Sequence, residues 1–251
     1  NAVASSSTAM NAVASSSTAM NAVASSSTAM NAVASSSTAM NAVASSSTAM
    51  NAVASSQIGV NTIINNSGFL NIVISSSTAM SAIAGSSTAM SAIAGSSTAM
   101  SAIAGSSTAM SAIAGKPVAI SAIIKSTMAC SKIDSKIQSY RSTLVNSLNN
   151  ASYFTKTTEI STNSNGNGTT LDRTLYTGNK IIIPTQFRDK GSGANTITLY
   201  SSSTNIQIYN TTITQTTVSI TSGVALRGVR ELHGTYYPSE NEITYDVYTA
   251  R

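Results

Sequence analysis

The sequence predicts a fibrous, mainly β protein in three parts: a decapeptide-repeat shaft over residues 1–115, a helical coiled-coil neck over 116–150 and a sandwich-like all-β domain over 151–251. Three observations lead to this fold class. The decad NAVASSSTAM recurs letter for letter through residue 50 and continues in variant form to residue 115. These repeats contain no charged residue, so the net charge of +5 lies wholly beyond them. After residue 150, short β-branched segments alternate with polar turn clusters.

The imperfect repeats favour a strand and a corner in each decad. The runs GVNTII and FLNIVI are rich in β-branched residues and are separated by Asn65-Asn66-Ser67-Gly68, which is turn chemistry. Each decad then provides a strand of about six residues and a corner of about four, with positions ten, two and four facing inward. One such unit is too small to close a solenoid. Three chains wound into a homotrimeric β-prism would pair every strand edge.

An α-helical shaft is the alternative. Ala and Met favour helix, but the apolar positions three and ten have a mean period of about 3.33 residues, below the 3.5 of an ordinary coiled coil. A long helix would have to be overwound to keep this stripe on one face. Glycines at 85, 95 and 105 would each cost an uninterrupted helix about 1 kcal/mol.

The neck is predicted to be one amphipathic helix of about 30 residues that begins near Pro117. Its apolar residues recur mostly every three or four positions: Ile120, Ile124, Met128, Ile133, Ile137, Tyr140, Leu144 and Leu148. A stripe of this length indicates a short coiled coil. The alternative is a helix packed on the following β domain.

Several classes of site are disfavoured by the composition. The only histidine is His233 and the only cysteine is Cys130, so one chain cannot assemble a His or Cys metal cluster. We interpret His233 near Glu231 as structural and expect no enzyme and no cofactor, although carbohydrate cleavage by carboxylates that meet between chains stays an alternative. The sequence contains no basic–aromatic motif of the kind that binds nucleic acid. It also contains no run of about 18 apolar residues that could span a membrane.

The candidate surface-binding residues lie in the last 99 residues, where eight of the nine tyrosines also lie. Exposed tyrosines and cations beside polar loops suit recognition of an anionic glycan or a protein. The candidates are Lys190, Arg227, Arg230, Tyr236 and Tyr237.

Runs such as STAMNAVASS and STAMSAIAGS resemble the decapeptide repeats of tail-fibre and other tail proteins of tailed bacteriophages, over about residues 1–128. The resemblance implies a trimeric structural fibre in the virion tail. One end would attach to other tail proteins, and a terminal β domain would contact a glycan or protein of the host surface. Which end forms the tip is left open by the resemblance.

Two other functions remain as alternatives. One is an ice-binding or surface-adhesion β-solenoid, with a ladder formed by Thr8 and its equivalents in the following decads. The other is an internal tail protein that uses the β domain for docking.

Overall fold

The computed structural model describes residues 2–165, 171–191, 193–235 and 239–251, which form two compact units, Asn1–Lys132 and Ile133–Arg251. The first unit is helical, so the predicted β-prism is wrong. Each decad forms one short helix. These are α1 (Ala2–Ser5), α2 (Ser7–Ala14), α3 (Ser17–Ala24), α4 (Ser27–Ala34), α5 (Ser37–Ser45), α6 (Ser47–Ser55), α7 (Gln57–Asn65), α8 (Ser67–Ser75), α9 (Ser77–Gly85), α10 (Ser87–Ala94), α11 (Ser97–Ala104), α12 (Ser107–Ala114), α13 (Pro117–Ile124) and α14 (Thr127–Ile137), which ends in the second unit.

The serine at decad position six explains why the helix restarts every ten residues. Ser16 has an extended backbone (φ −101°, ψ 114°), and its Oγ accepts a hydrogen bond from the backbone N–H of Ala19 at 3.2 Å. This is an N-cap, which satisfies one of the unpaired donors of the first helical turn. The predicted four-residue corner is therefore a single capping residue. The predicted turn at residues 65–68 is also wrong, because Asn66 caps α8 through Phe69 N–H at 2.8 Å.

The helices stack as a single-chain solenoid with three decads per turn. Each helix packs against the helix three decads later, as α3 does with α6 and α6 with α9. The chain bends sharply at the capping residue, by 98° between α8 and α9 and by 97° between α12 and α13. This geometry also differs from the alternative of an overwound coiled coil, since no helix continues through a corner and one chain supplies both packing partners.

A ladder of side-chain hydrogen bonds joins successive turns. The hydroxyl of Ser36 donates to the carbonyl of Ala4 at 2.5 Å, and the same bond, 32 residues apart in sequence, recurs along the stack. Its donors are Ser46, Ser56, Asn66, Ser76, Ser86 and Ser106, at 2.5–3.0 Å from their acceptors. One capping side chain thus accepts within its own helix and donates to the previous turn.

The buried face of each helix comprises decad positions three, four, nine and ten. In the fifth decad Val43 and Ala44, at positions three and four, are almost wholly buried, and Ala49 and Met50, at positions nine and ten, are completely so. These positions recur at the spacing of one face of a helix. The strand assignment, with positions ten, two and four inward, places Val43 at position three on the outer face, which is wrong.

The predicted coiled-coil neck is wrong as well. Residues 117–148 form α13, α14, a 3₁₀ turn at Gln138–Tyr140 and α15 (Arg141–Leu148). The segment from Lys116 to Ile133 continues the decad pattern: Ser126 caps Ala129 at 3.2 Å, and Cys130 is buried at position ten, where other decads carry Met. Lys116, at position six, makes no side-chain cap, but Pro117 occupies the first helical turn, where its missing N–H costs nothing.

The second unit contains two antiparallel sheets. One has the order β1-β9-β3-β6 with β7 paired to β3, and the other has the order β2-β8-β4-β5. A single buried apolar cluster draws side chains from both sheets, including Phe187, Ile197, Leu199 and Tyr245. The strands are β1 (Phe154–Asn165), β2 (Leu171–Leu175), β3 (Lys180–Asp189), β4 (Asn195–Ser201), β5 (Gln207–Ile213), β6 (Thr217–Ser219), β7 (Ala225–Leu226), β8 (Val229–Thr235) and β9 (Ser239–Ala250).

Candidate functional site

The three basic candidates of the β unit all have intramolecular partners. Lys190 pairs with Glu242, and Arg227 Nη1 donates to Asn179 Oδ1 at 2.8 Å. The guanidinium of Arg230 holds both carboxylate oxygens of Asp172, with Nε 2.7 Å from Oδ1 and Nη2 2.5 Å from Oδ2. It also lies 5.3 Å from the ring centroid of Tyr200. Carboxylates thus oppose the charges of Lys190 and Arg230, whereas the partner of Arg227 is a neutral amide.

These candidates do not form one surface patch. Arg227 donates its backbone N–H to the carbonyl of Lys180, at the start of β3, whereas Lys190 follows the end of the same strand. Ten residues of strand separate the two ends by roughly 30 Å, at about 3.3 Å per residue. Tyr236 and Tyr237 lie outside the described residues.

A buried polar cluster connects the two sheets at Glu231, on β8. Its Oε2 accepts from Arg173 Nε at 2.8 Å and from Ser161 Oγ at 3.0 Å, and lies 3.3 Å from His233 Nε2. Its Oε1 accepts from Tyr245 Oη at 2.5 Å. Glu231 and His233 are at most 1 % exposed. Because Ser161 and Tyr245 belong to the opposite sheet, this cluster braces the sandwich.

The electrostatics of the cluster fit a structural role. Burial alone would raise the pKa of Glu231, but hydrogen bonds from His233, Tyr245 and Arg173 outweigh it and hold that pKa below the usual value. Burial, aided by the Glu231 charge, raises the pKa of Tyr245 well above its ordinary value. The carboxylate is thus kept ionised, with both oxygens occupied, so it acts as a fixed acceptor of hydrogen bonds.

Sequence reasoning found only part of this cluster. Residues 231 and 233 alternate on one strand and so share a face, which brought the pair to notice. Arg173 and Ser161 lie 58 and 70 residues from Glu231, and Tyr245 lies on the next strand. No local pattern marks any of the three. Within the described part of the chain, no group of three or more His, Cys, Asp or Glu side chains is placed to hold a metal ion.

The exterior of the first unit offers a different kind of surface. Shallow grooves of about 450, 420 and 400 Å³ run between helices three decads apart. Their linings repeat: Asn31 and Ser35 face Asn61 and Asn65, and ten residues later Asn41 and Ser45 face Asn71 and Ser75. The surface is uncharged and periodic, and it presents amide and hydroxyl groups in a fixed array.

No protein-family model matches the chain, and no curated protein is similar to it. No single helix in the described ranges is long and apolar enough to cross a membrane. By length and composition alone, two bent pairs of helices pass that test, α8 with α9 and α12 with α13.

Proposed function

We propose that this protein is a non-enzymatic structural component of a virion tail, in which the decad solenoid is a spacer and the β unit makes the attachment. The observation that supports this most is the ladder of capping side chains. Each added decad repeats the same cap, the same buried face and the same bond to the previous turn. Such a unit extends a scaffold without creating a unique chemical site.

The charge distribution supports separate roles for the decad solenoid and the β unit. Residues 1–115 carry no charge, so their inter-turn contacts involve no ion pairs that salt would screen. All the charged and nearly all the aromatic side chains are in the rest of the chain, where specific recognition is usually built.

The homotrimer, with its proposed partners among tail proteins and on the host surface, stays a prediction. In a β-prism the trimer would pair exposed strand edges, whereas the helical solenoid has no such edges because the backbone hydrogen bonds lie within each helix. A contact through the β domain would still gain avidity from three copies. Sedimentation of the full chain tests the trimer directly.

The alternative of an ice-binding or adhesive β-solenoid loses its structural premise. Thr8 and Thr38, three decads apart, sit on helices that pack about 8–10 Å from each other, whereas strands would place them about 4.8 Å apart. Internal docking within a tail remains compatible with the same spacer, and we expect the location of the protein to distinguish it from a fibre.

Immunogold labelling of particles released by cells that carry the gene tests the proposal. Gold on the distal part of a tail supports the fibre, and gold that appears only after the tail is opened supports the docking alternative. Antibody pre-absorbed with the purified full chain is the control. Particles without label, with all the protein in the soluble fraction, would contradict a virion role.

A further inference from the structure

Strand β1 forms one edge of the larger sheet, in the order β1-β9-β3-β6. It is twelve residues long, contains no proline, and keeps an unbroken register with β9 over its whole length. The other edge strands are shorter: β6 has three residues, β2 has five, and β5 has seven with a register shift in its pairing with β4. An edge strand presents a row of unpaired backbone groups to which another strand can add.

The backbone groups of every second residue of β1 point away from β9. The carbonyl of Tyr153 accepts from Arg251 N–H at 3.0 Å, so it points towards β9. The N–H of Ala250, opposite Phe154, donates instead to the residue before β3, at 3.1 Å. Because residues of an antiparallel ladder alternate between their two neighbours, the even-numbered residues of 154–162 direct N–H and C=O outward.

Both ends of this outward row are already occupied within the chain. The N–H of Phe154 donates to the carbonyl of Asn150 at 3.1 Å, and the carbonyl of Thr162 accepts from Arg173 Nη2 at 3.1 Å. Among the described residues, no other group bonds to the outward backbone between these two ends. The free groups are therefore the carbonyl of Phe154, the N–H of Thr162, and both groups of Lys156, Thr158 and Ile160.

This set of free groups is complementary to itself about Thr158. When two antiparallel copies of β1 are related by a two-fold axis through Thr158, residue 156 lies opposite 160 of the other copy and residue 154 lies opposite 162. Every free donor of one copy then faces a free acceptor of the other. Moving the axis to Thr157 would leave a carbonyl and an N–H of each copy unpaired.

The two occupied groups also favour a second copy over an unrelated strand. In the register about Thr158, Phe154 N–H and Thr162 C=O would face each other, and both are already satisfied within their own chains. A strand without these internal bonds would bring one unpaired carbonyl and one unpaired N–H to the same places, which reduces the gain from pairing.

We propose that β1 binds β1 of a second copy of this chain, antiparallel and in the register about Thr158, so that the two larger sheets join into one. The contact is isologous and closes at two chains. It therefore predicts a dimer where the sequence predicts a homotrimer. The inference goes beyond the proposed spacer function and does not depend on it.

The side chains of β1 are compatible with this register. Lys156 would lie opposite Ile160 of the other copy, whose side chain is 60 % exposed and would be covered by the methylene groups of the lysine. The ammonium of Lys156 stays over its own sheet, 2.8 Å from Asp246 Oδ2. Glu159 would lie opposite Thr157, so no two like charges face each other across the contact.

Sedimentation of the full chain at micromolar concentration tests the contact. We expect the parent chain, of 25.5 kDa, to sediment as a dimer. Thr158→Pro removes the N–H at the centre of the register, which an edge strand tolerates because that N–H faces outward. It should weaken the dimer by about tenfold or more. Thr158→Ala is the matched control: it also loses the hydroxyl bond to Asp246 but keeps the N–H, so it should dimerise like the parent.

A pair of cysteine variants tests the register itself. Opposite Cα atoms of a hydrogen-bonded antiparallel pair lie about 5.5 Å apart, within the range of a disulfide. Thr158→Cys should therefore give a cross-linked dimer under mild oxidation. Thr155→Cys is the matched control, because residue 155 lies opposite Ser161 of the other copy and roughly 20 Å from its own equivalent. The native Cys130 is buried, so the parent chain should stay uncross-linked.

Several results would overturn the proposal. These are a parent chain that sediments as a monomer or a trimer, dimers of equal strength in the proline and alanine variants, or equal cross-linking through residues 155 and 158. Should the proline variant lose its tyrosine circular dichroism, and so its fold, the cysteine pair decides. None of these measurements involves a virion, so failure here is separable from failure of the proposed function.

Discussion

At the residue scale, one side chain in ten determines the architecture. A serine at decad position six stops one helix, caps the next and bonds to the turn before it. Asn66 shows which chemistry is required, since its Oδ1 accepts from Phe69 N–H while its Nδ2 donates to the carbonyl of Ala34 at 3.0 Å. A side chain must be able to accept and donate at once, and Ser and Asn both can.

Replacing Ser56 tests this double role. Ser56→Ala removes a cap, worth about 1 kcal/mol, and a half-buried inter-turn hydrogen bond of similar size, so the free energy of unfolding should fall by about 2 kcal/mol. Ser56→Asn should retain most of the stability. The control is Ser55→Ala, since the exposed Ser55 hydroxyl donates only to Asn51 of its own helix. Urea denaturation followed by far-ultraviolet circular dichroism measures all three; equal losses in the Ala and Asn variants would refute the shared role.

The lowered pKa of Glu231 predicts that the stability of the β unit depends on pH. Its pKa in the folded protein lies below the unfolded value of about 4.3, so its contribution to stability is present above that pH and is lost as pH falls through the folded pKa. The tyrosine signal in near-ultraviolet circular dichroism reports on this unit alone, because all nine tyrosines lie at or beyond Tyr140. Glu231→Gln should lower stability at pH 7 and flatten its decline between pH 5 and 3.

Asp134 contributes to the same titration with the opposite sign. Burial raises its pKa, although hydrogen bonds from Ser203 and Thr204 lower it in part. Protonation of Asp134 therefore favours the folded state as pH falls. Comparing Glu231→Gln with the parent chain isolates the Glu231 term, and an unchanged slope in that variant would show that the cluster does not hold the carboxylate ionised.

At the scale of elements, each helix ends before its apolar stripe can rotate away from the buried face. Position three and position ten have a mean period unsuited to a long straight helix, but the capping residue resets the phase after eight or nine residues. Glycine at position five, as in Gly95, has φ −86° and lies at the C-cap, so the penalty for a mid-helix glycine does not apply. A mean period of about 3.33 residues excludes only a continuous helix, not a series of short capped ones.

The sequence shows correctly which residues of the decad are apolar, but the predicted secondary structure of the repeats, strand instead of helix, is wrong. The sequence shows the apolar character of positions three and ten, the start of a new element near Pro117 and the β-branched segments after residue 150. It does not decide between strand and helix, because the small apolar residues of the decad are compatible with both and the decisive bond, from Ser36 to Ala4, spans 32 residues. The Glu231 cluster was hidden for the same reason, since its members meet only after folding.

Glycine substitutions distinguish ordinary from strained positions. Gly85 has a negative φ and nothing within 4 Å of an added Cβ, so Gly85→Ala should raise the free energy of unfolding by about 0.5 kcal/mol by restricting the unfolded chain. Gly223 has φ +90° and a Cβ there would lie 3.2 Å from Ile208 O, so Gly223→Ala should destabilise the β unit by more than 1 kcal/mol. Thermal denaturation of each unit, followed at its own wavelength, measures both; a stabilised Gly223→Ala would contradict the backbone assignment.

Two identical decads at different places in the stack provide a matched pair of valines whose burial differs. Val43 is fully buried between turns, and Val13, in the first turn, is half-buried. Val43→Ala should therefore cost about 2 kcal/mol, and Val13→Ala less than half of that, although their flanking sequences are the same. Urea midpoints of the two variants measure the difference. Equal costs would mean that neighbouring turns do not determine the burial of position three.

At the scale of the whole molecule, the length of the solenoid is proportional to the number of decads. Three decads form one turn, and packed helices lie about 8–10 Å apart, so each turn advances the stack by about 10 Å. A continuous helix of the same 30 residues would advance about 45 Å, and three β layers about 14 Å.

Inserting six decads after residue 50 tests this directly. The maximum dimension along the stack should increase by about 20 Å, measured by electron microscopy of the full chain with and without the insertion. A control insertion of 60 Gly/Ser residues should add a flexible loop and no ordered length. An increase near 90 Å would indicate continuous helix and contradict the stacked arrangement.

Because one turn contains three decads, the number of decads also determines the relative orientation of the two ends of the solenoid. Adding one decad rotates one end of the solenoid relative to the other by a third of a turn, and only multiples of three restore the original heading. Tandem duplications of a ten-residue unit, which identical repeats make easy to gain and lose, would therefore change where the ends point more often than they preserve it. Variants that keep both ends aligned should differ by 30 residues, so length polymorphism in this chain is expected to be selected in steps of whole turns.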